Sequence, residues 1–370
     1  MMKSQSQIKI GITYDLKSEY LSQGASLESV AEFEDPETIE ALTNTLIQFG
    51  FQVDLITNIH SLVKQLSQGE RWDLIFNIAE GLNGSARESQ IPCLLEAYQI
   101  PYVFSDAATL CVCMNKAICK KVLRDSEVKT ADFFVVHSLA DLEHHRLPFP
   151  LFAKPVAEGS GKGIHENSII HNAHELREQC EFLLNTFKQP VLVETYLPGD
   201  EYTVGILGTG DGAQVLGVMK IEFNEDLAAP FYSLTNKQNY ENRVTYRLAD
   251  PEMETYVGNE ALKAWRHLGC RDGGRLDMRL DQHGVAHFIE VNPLAGLHPE
   301  KSDLVILARL KNMTYHELIS MILRSALLRI FPNSAGPDGH LHGSQALTWH
   351  PSQSVPLETR KAYTSHSLSN

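Results

Sequence analysis

The sequence predicts an α/β protein, an open parallel sheet at its N-terminal end followed by segments built on antiparallel strands. Two observations carry this. Up to about residue 113, short apolar runs alternate with amphipathic stretches, strand then helix then strand, the order of a parallel sheet with crossover helices. Further on, Gly274 to Leu280 and Phe288 to Pro293 read as the arms of a β-hairpin joined at Asp281-Gln282-His283-Gly284.

In order, Ile8 to Ile12 is a buried strand. Asp35-Pro36-Glu37 opens a helix, with a capping residue, proline at the first position and acid in the first turn. Ile39, Leu42, Leu46 and Phe49 keep helical spacing, and Gly50 stops the helix. Strands follow at Phe51 to Ile56, Leu74 to Ile78 and Tyr102 to Phe104, with helices near Leu62 to Leu66 and Ile91 to Tyr98. Ligands bind at loops leaving the carboxyl ends of such strands, here Thr13 to Glu19 and Ala79 to Glu88. The polar link from Lys17 to Glu34 fits a binding loop and a surface insertion equally. A second segment, about 114–199, carries Lys116 on a helix and strands at Phe133 to Val136, Leu151 to Val156 and Val191 to Glu194. A third, about 200–331, opens on Glu201 to Leu207 and ends in a helix from Thr314, with Leu318, Ile319, Ile322, Leu323 and Ala326 on one face. The last stretch, 332–370, rich in Ser, Gly, Pro and His, has the composition of a flexible tail.

Composition narrows the function. The formal charge of −14 argues against nucleic-acid and anionic-membrane partners, which need a positive surface. No apolar run approaches the roughly 18–20 residues of a membrane helix. Six cysteines show neither CxxC nor paired Cys/His spacing and read as free thiols of a reducing compartment, so a cytoplasmic location is expected.

Two stretches carry chemistry. In the hairpin, Leu276, Met278 and Leu280 alternate with Arg275, Asp277 and Arg279, the period of a half-buried strand. If residues 280 and 285 flank the turn, Arg275 lies opposite Glu290 and Asp277 opposite Phe288. Asp277, Glu290 and Asn292 then share a polar face, a set of hard oxygen ligands suited to Mg²⁺ bound together with phosphates. The second is Glu158-Gly159-Ser160-Gly161-Lys162-Gly163 after a strand, a turn whose backbone N–H groups can meet phosphate oxygens. It has neither G-x-G-x-x-G spacing nor the Ser/Thr of a Walker loop.

One family shows these pieces in the same order. Phe76-Asn77-Ile78-Ala79-Glu80-Gly81, Ile100-Pro101-Tyr102, Asn115-Lys116, Ala153-Lys154-Pro155, Glu158-Gly159-Ser160, Glu194 with Glu201, Gly274-Arg275-Leu276-Asp277 and Glu290-Val291-Asn292 together resemble the D-alanine–D-alanine ligase type of ATP-grasp enzyme, over roughly residues 8–330. The resemblance implies an ATP-grasp fold: a Rossmann-like domain over 1–113, a lid domain over 114–199 and a catalytic domain over 200–331, the last two clamping ATP. Lys116 and Lys154 would neutralise the α- and β-phosphates, with the loop at Ser160 closing over them. Glu194 and the backbone near Leu197 would read adenine, and Glu201 the ribose. Asp277, Glu290 and Asn292 would hold two Mg²⁺, with Mn²⁺ able to replace them. Arg275 and the backbone of Gly296 would stabilise the reacting oxyanion, and Lys237 would touch the γ-phosphate. Such enzymes phosphorylate a carboxylate and join the acyl phosphate to an amine, working on small molecules and usually as homodimers.

The sequence also departs from that pattern. Thr13-Tyr14-Asp15-Leu16-Lys17 replaces a glycine/serine-rich turn bearing a substrate glutamate, leaving Glu19 as the candidate surrogate, with Glu80 in the next loop. Gln238, not tyrosine, follows Lys237, and Tyr240 comes later. Gly161 replaces a serine, and Leu294 to Ser302 keeps its glycine and serine in altered company, with Ser302 a candidate for the second substrate's carboxylate. A kept nucleotide half beside an altered acceptor half predicts a substrate other than D-alanine. Related enzymes of mycosporine synthesis join an amino acid to a ring carbonyl as an imine, which this sequence permits. A nucleotide-binding regulator without turnover is the reading from another class.

Overall fold

The computed structural model describes residues 8–223 and 244–331. Lys237, with Gln238 and Tyr240, and the expected tail 332–370 lie outside the described residues.

The first sheet is parallel and orders its strands β2-β1-β3. Its elements are β1 (Lys9–Thr13), α1 (Lys17–Ser22), α2 (Pro36–Gln48), β2 (Gln52–Thr57), α3 (Ile59–Ser67), β3 (Leu74–Asn77) and α4 (Gln90–Ala97). Ile39, Leu42 and Leu46 of α2 are buried against it, and Gly50, at φ +90°, turns the chain back. Asp35 takes the extended backbone of a cap, but its side chain does not cap α2; it pairs with Lys17 at 3.3 Å. The strand expected at Tyr102 to Phe104 shrinks to a bridge between Tyr102 and Ile75, because Phe104 turns out of extended backbone at φ +78°. The Lys17–Glu34 link is a closed loop: Glu34 returns to pair with Leu16, and Lys17 N donates to Glu34 O at 3.0 Å.

Two helices lead out of this layer, α5 (Ala107–Met114) capped by Asp106 and α6 (Lys116–Asp125) capped by Asn115. The second sheet, ordered β4-β7-β5-β6, is antiparallel. It comprises β4 (Phe133–Val136), β5 (Leu151–Pro155), β6 (Ile169–Ile170) and β7 (Val191–Thr195), with α7 (Ala173–Phe187) between the last two in sequence. Leu176, Cys180 and Leu183 of α7 cover Val136, Ala153 and Val193.

The third sheet, ordered β10-β9-β8-β11-β12, is antiparallel throughout. Its strands are β8 (Glu201–Leu207), β9 (Gln214–Phe223), β10 (Val244–Leu248), β11 (Gly273–Leu280) and β12 (Ala286–Asn292), with α8 (Pro251–His267) before β11. Two helices end the described chain, α9 (Asp303–Leu310) and α10 (Tyr315–Ile330). Thr314 and Glu317 form a capping box at α10. Its Leu318, Ile319, Ile322, Leu323 and Ala326 are fully buried in one core with Ile10, Ile12 and Leu42 of the first layer. The last helix thus fastens the third sheet to the first.

The hairpin of β11 and β12 forms as expected, in a different register. Arg275 faces Asn292, Asp277 faces Glu290 and Met278 faces Phe288, with an irregularity between Asp277 and Met278. Neither expected pair, Arg275 with Glu290 or Asp277 with Phe288, is made. The cause is a bulge at Ile289. Unbroken alternation from Ala286 would turn Glu290 to the buried face with Phe288; one extra residue returns it to the polar face.

Candidate active site

A narrow slot lies where the second sheet meets the third. β5 supplies Lys154, β7 Glu194, the start of β8 Glu201, β11 Asp277, and β12 Glu290 and Ile289; Lys116 at the head of α6 and Leu197 also line it. Alternation sets this. Lys154 follows the buried Ala153 and Asp277 lies between the buried Leu276 and Met278, so the polar chains project on the face opposite the cores.

The charges in the slot are paired across elements. Lys116 Nζ lies 3.2 Å from Glu290 Oε2 and donates to the carbonyl of Glu158. Lys154 Nζ lies 2.8 Å from Glu194 Oε2, and Lys120 Nζ, one turn beyond Lys116, lies 2.6 Å from Glu194 Oε1. Burial works against the Glu194 charge, yet the two lysines outweigh it and hold the carboxyl down to about 2. Burial also opposes the Lys154 charge, and Glu194 with Glu290 keeps that ammonium above its usual range. Lys120, wholly buried, is pulled below the usual lysine range despite Glu194. Glu201 pairs with Arg279 at 3.0 Å.

Beside the slot, and sharing Lys116, Glu158 and Glu290 with it, opens a cleft of 730 Å³. Arg275, Asn292, Gly296 and Ser302 line it together with Glu80 and with Ser160 of the glycine-rich turn. Arg275 pairs with Asp277, and its Nε lies 3.5 Å from Asp303. Burial opposes its charge, and Asp277, Asp303 and Glu290 raise the pKa of the guanidinium further. Ser302 Oγ accepts from His298 N at 2.8 Å, fixing the loop that carries Gly296.

The residues at the junction suit Mg²⁺ and a triphosphate. Among the described residues no three His, Cys, Asp or Glu side chains converge as a metal site on their own. Two carboxylates and an amide, Asp277, Glu290 and Asn292, match instead an ion that completes its shell with phosphate oxygens and water. Asp277 Oδ1 accepts from Thr203 Oγ1 at 2.8 Å, which fixes that carboxylate, and Asn292 Nδ2 is buried with no hydrogen-bond partner among the described residues.

Thus slot and cleft bring together Lys116, Lys154, Glu194, Leu197, Glu201, Asp277 and Glu290, and Ser160, Glu80, Arg275, Asn292, Gly296 and Ser302. Glu19, in the first turn of α1, lines neither. Asp15, in the loop between β1 and α1, is tied down, accepting from Tyr20 and from Gly81 N at 2.8 Å. Sequence reasoning did not single out Lys120, although it stands four residues after Lys116 on one helix face, nor Glu32 and Arg87. Glu32 Oε2 is 2.7 Å from Lys162 Nζ and 3.1 Å from Arg87 Nη2, linking the first layer to the glycine-rich turn. Loop partners from distant segments leave no periodic signal.

Comparison with known proteins follows the same lines. The family model described as D-ala D-ala ligase C-terminus matches residues 122–324. An uncharacterized protein, y4sG, of Sinorhizobium fredii is 30% identical over 265 residues, 70% of this chain and 76% of that one. The D-alanine–D-alanine ligase of Thermotoga petrophila is 29% identical over 293 residues, 78% of this chain and 91% of that one. Among solved structures, the D-alanine–D-alanine ligase of Bacillus anthracis complexed with ATP gives a TM-score of 0.65 at 22% identity, covering 88% of this chain and 98% of that one. The VanG D-Ala:D-Ser ligase of Enterococcus faecalis gives 0.66 at 19% identity, covering 86% and 99%. At these identities the two structures show a shared fold.

Proposed function

The chain belongs to the D-alanine–D-alanine ligase family of ATP-grasp, ATP-dependent C–N ligases, and from that premise we propose that it phosphorylates a carboxylate other than that of D-alanine and joins it to the amine of an amino acid. The observation that carries this is the meeting of Lys116 with Glu290 at 3.2 Å and of Lys154 with Glu194 at 2.8 Å, across four elements.

Phosphoryl transfer is mostly positioning and neutralisation of charge. Lys116 and Lys154 are the ammoniums for the α- and β-phosphates, and Ser160 with the glycine-rich backbone covers them. Glu194 and the backbone at Leu197 meet the base, Glu201 the ribose, and Ile289 gives an apolar wall. Asp277, Glu290 and Asn292 would hold Mg²⁺, which when bound would draw charge off the phosphate oxygens. The γ-phosphoryl group passes to the carboxylate oxygen, giving an acyl phosphate and ADP. The amine then adds to the acyl carbon, and phosphate leaves as the amine loses a proton. Arg275, which lines the cleft with Gly296, is the group for the oxyanion formed on addition.

The acceptor side argues for a changed substrate. Asp15 is engaged by Tyr20 and Gly81, and Glu19 lies off the cleft, so the stretch from Thr13 to Glu19 presents no carboxylate to a D-alanine amine. A panel of carboxylates and amino acids scored by ADP release tests the reading. Turnover should appear with a pair other than two D-alanines and vanish in Glu290→Gln. Rapid turnover with D-alanine alone would show the substrate assignment to be wrong.

A further inference from the structure

The ligase reading leaves one wall of the cleft unexplained, and the charges there narrow the substrate. Most ionised groups around the cleft are matched. Lys17 pairs with Asp35, Lys116 with Glu290, and Arg275 with Asp277 and Asp303. Arg87 and Lys162 together serve Glu32 and Glu158, with Lys162 Nζ 2.6 Å from Glu158. Among the described residues of the cleft, three carboxylates form no ion pair within 4 Å: Glu34 at the end of the closed loop, Glu80 after β3, and Glu88 in the turn Arg87–Ser89. All three line the cleft, and Glu34 does so with only 8% of its surface exposed.

Glu80 feels both of the others. Burial, then Glu88, Glu32 and Glu34, push the Glu80 carboxyl well above its usual range. Burial is also the main cause that lifts Glu34 and Glu88, each to about 7. Carboxyl groups pushed up in this way hold their charge poorly on their own, and they concentrate where a ligand supplies the missing positive charge. A single metal ion does not fit, because among the described residues no three such side chains converge on one point. The missing charge has to be spread over a longer body. A neutral amino acid brings one ammonium and a carboxylate that this wall repels.

Resting on the ligase reading, we infer that the cleft receives a substrate bearing a basic nitrogen group, an ammonium, amidinium or guanidinium, beyond the amine that reacts, held by Glu34, Glu80 and Glu88. The acids line the same cleft as Arg275 and Asn292 but come from the first layer, not from the hairpin, and the volume of 730 Å³ leaves room for a cationic end beside the reacting one.

Calorimetry on the full chain tests this without turnover. The probes are ornithine against norvaline, which differ by a terminal ammonium, in both configurations, and agmatine against pentylamine. At least one basic probe should bind tenfold or more tightly than the partner that carries one cationic group fewer. In Glu80→Gln and in Glu88→Gln that ratio should fall towards one, with the melting temperature of the variant kept. No preference for any basic probe, or a preference that survives both substitutions, overturns the inference. ADP release separates the two readings. Binding preference without ADP release from any pair sinks the ligase assignment alone. ADP release with neutral substrates and no basic preference sinks this one alone.

Discussion

Glu194 stands between two ammoniums, Lys120 Nζ at 2.6 Å and Lys154 Nζ at 2.8 Å, with 3% of its surface exposed. If Lys154 turns to a phosphate, a second lysine keeps the carboxylate from being stranded in a dry site, where a lone charge costs several kcal/mol. Lys120 is held for that task by a bond to Phe288 O at 3.0 Å. Lys120→Met should lower stability by about 3 kcal/mol, the lower end for breaking a buried pair because Lys154 remains. It should also raise KM for ATP about tenfold with a smaller change in kcat, since Lys154 is then retained by Glu194. Urea unfolding and initial rates measure both, and an unchanged KM would leave Lys120 a purely structural role. Glu34 gives a second residue-scale outcome. Burial raises its carboxyl from 4.5 to about 7, so the folded chain keeps a proton that the unfolded chain releases between those values. Stability from this group therefore falls as pH rises through that window and is lowest above it. Glu34→Gln removes the penalty: a gain of up to about 3 kcal/mol at about pH 8, and little at about pH 4, read from melting curves. At this scale Lys116 and Lys154 were legible because they sit in short motifs of fixed company. Lys120 and Glu34 were not, because their roles come from partners on other elements.

At the scale of elements, the hairpin shows what alternation reveals and where it stops. The polar character of Asp277, Glu290 and Asn292 and the burial of Leu276 and Met278 follow from period two. The register does not, because Phe288 and Ile289 are adjacent apolar residues and one must leave the pattern. The bulge resolves the conflict by bringing Ile289 to the site beside Glu290, where it lines the slot. Ile289→Ala should then leave the hairpin paired and raise KM for ATP roughly tenfold, the worth of an apolar side chain of this size against a base. An unchanged KM would mean that the bulge serves only to orient Glu290. Helix α7 escaped the sequence reading although Asn172 caps it and Leu176, Cys180 and Leu183 keep helical spacing. Charged residues fill the stretch between, so the apolar stripe is narrow. The helix after Thr314 was plain because its apolar face is wide and its capping box intact.

For the whole molecule, the question is what holds the first layer against the glycine-rich turn. The link is a buried set of two acids and two bases: Glu32 and Arg87 from loops of the first layer, Glu158 and Lys162 from the turn. Arg87 adds a bond to Ala157 O at 3.0 Å. Gly159 makes the approach feasible, since a Cβ there would fall on Glu32 Oε1. Ser160, at φ +51°, then carries the turn over the junction of slot and cleft. The acids that face the substrate and the backbone that covers the phosphates are therefore parts of one charged assembly, so binding on one side should be felt on the other. Glu32→Gln tests this. It leaves Arg87 and Lys162 competing for Glu158 alone, and breaking a buried pair in this way costs on the order of 3 kcal/mol locally. Amide exchange across residues 157–163 should quicken by at least about tenfold while exchange in α10, buried in the core of the first layer, stays slow. Because the pairs are shielded from water, raising the salt concentration on the unaltered protein should not reproduce the effect. Equal exchange in the two proteins would mean that the turn is ordered by its own backbone, and the wall and the phosphate site would then act independently.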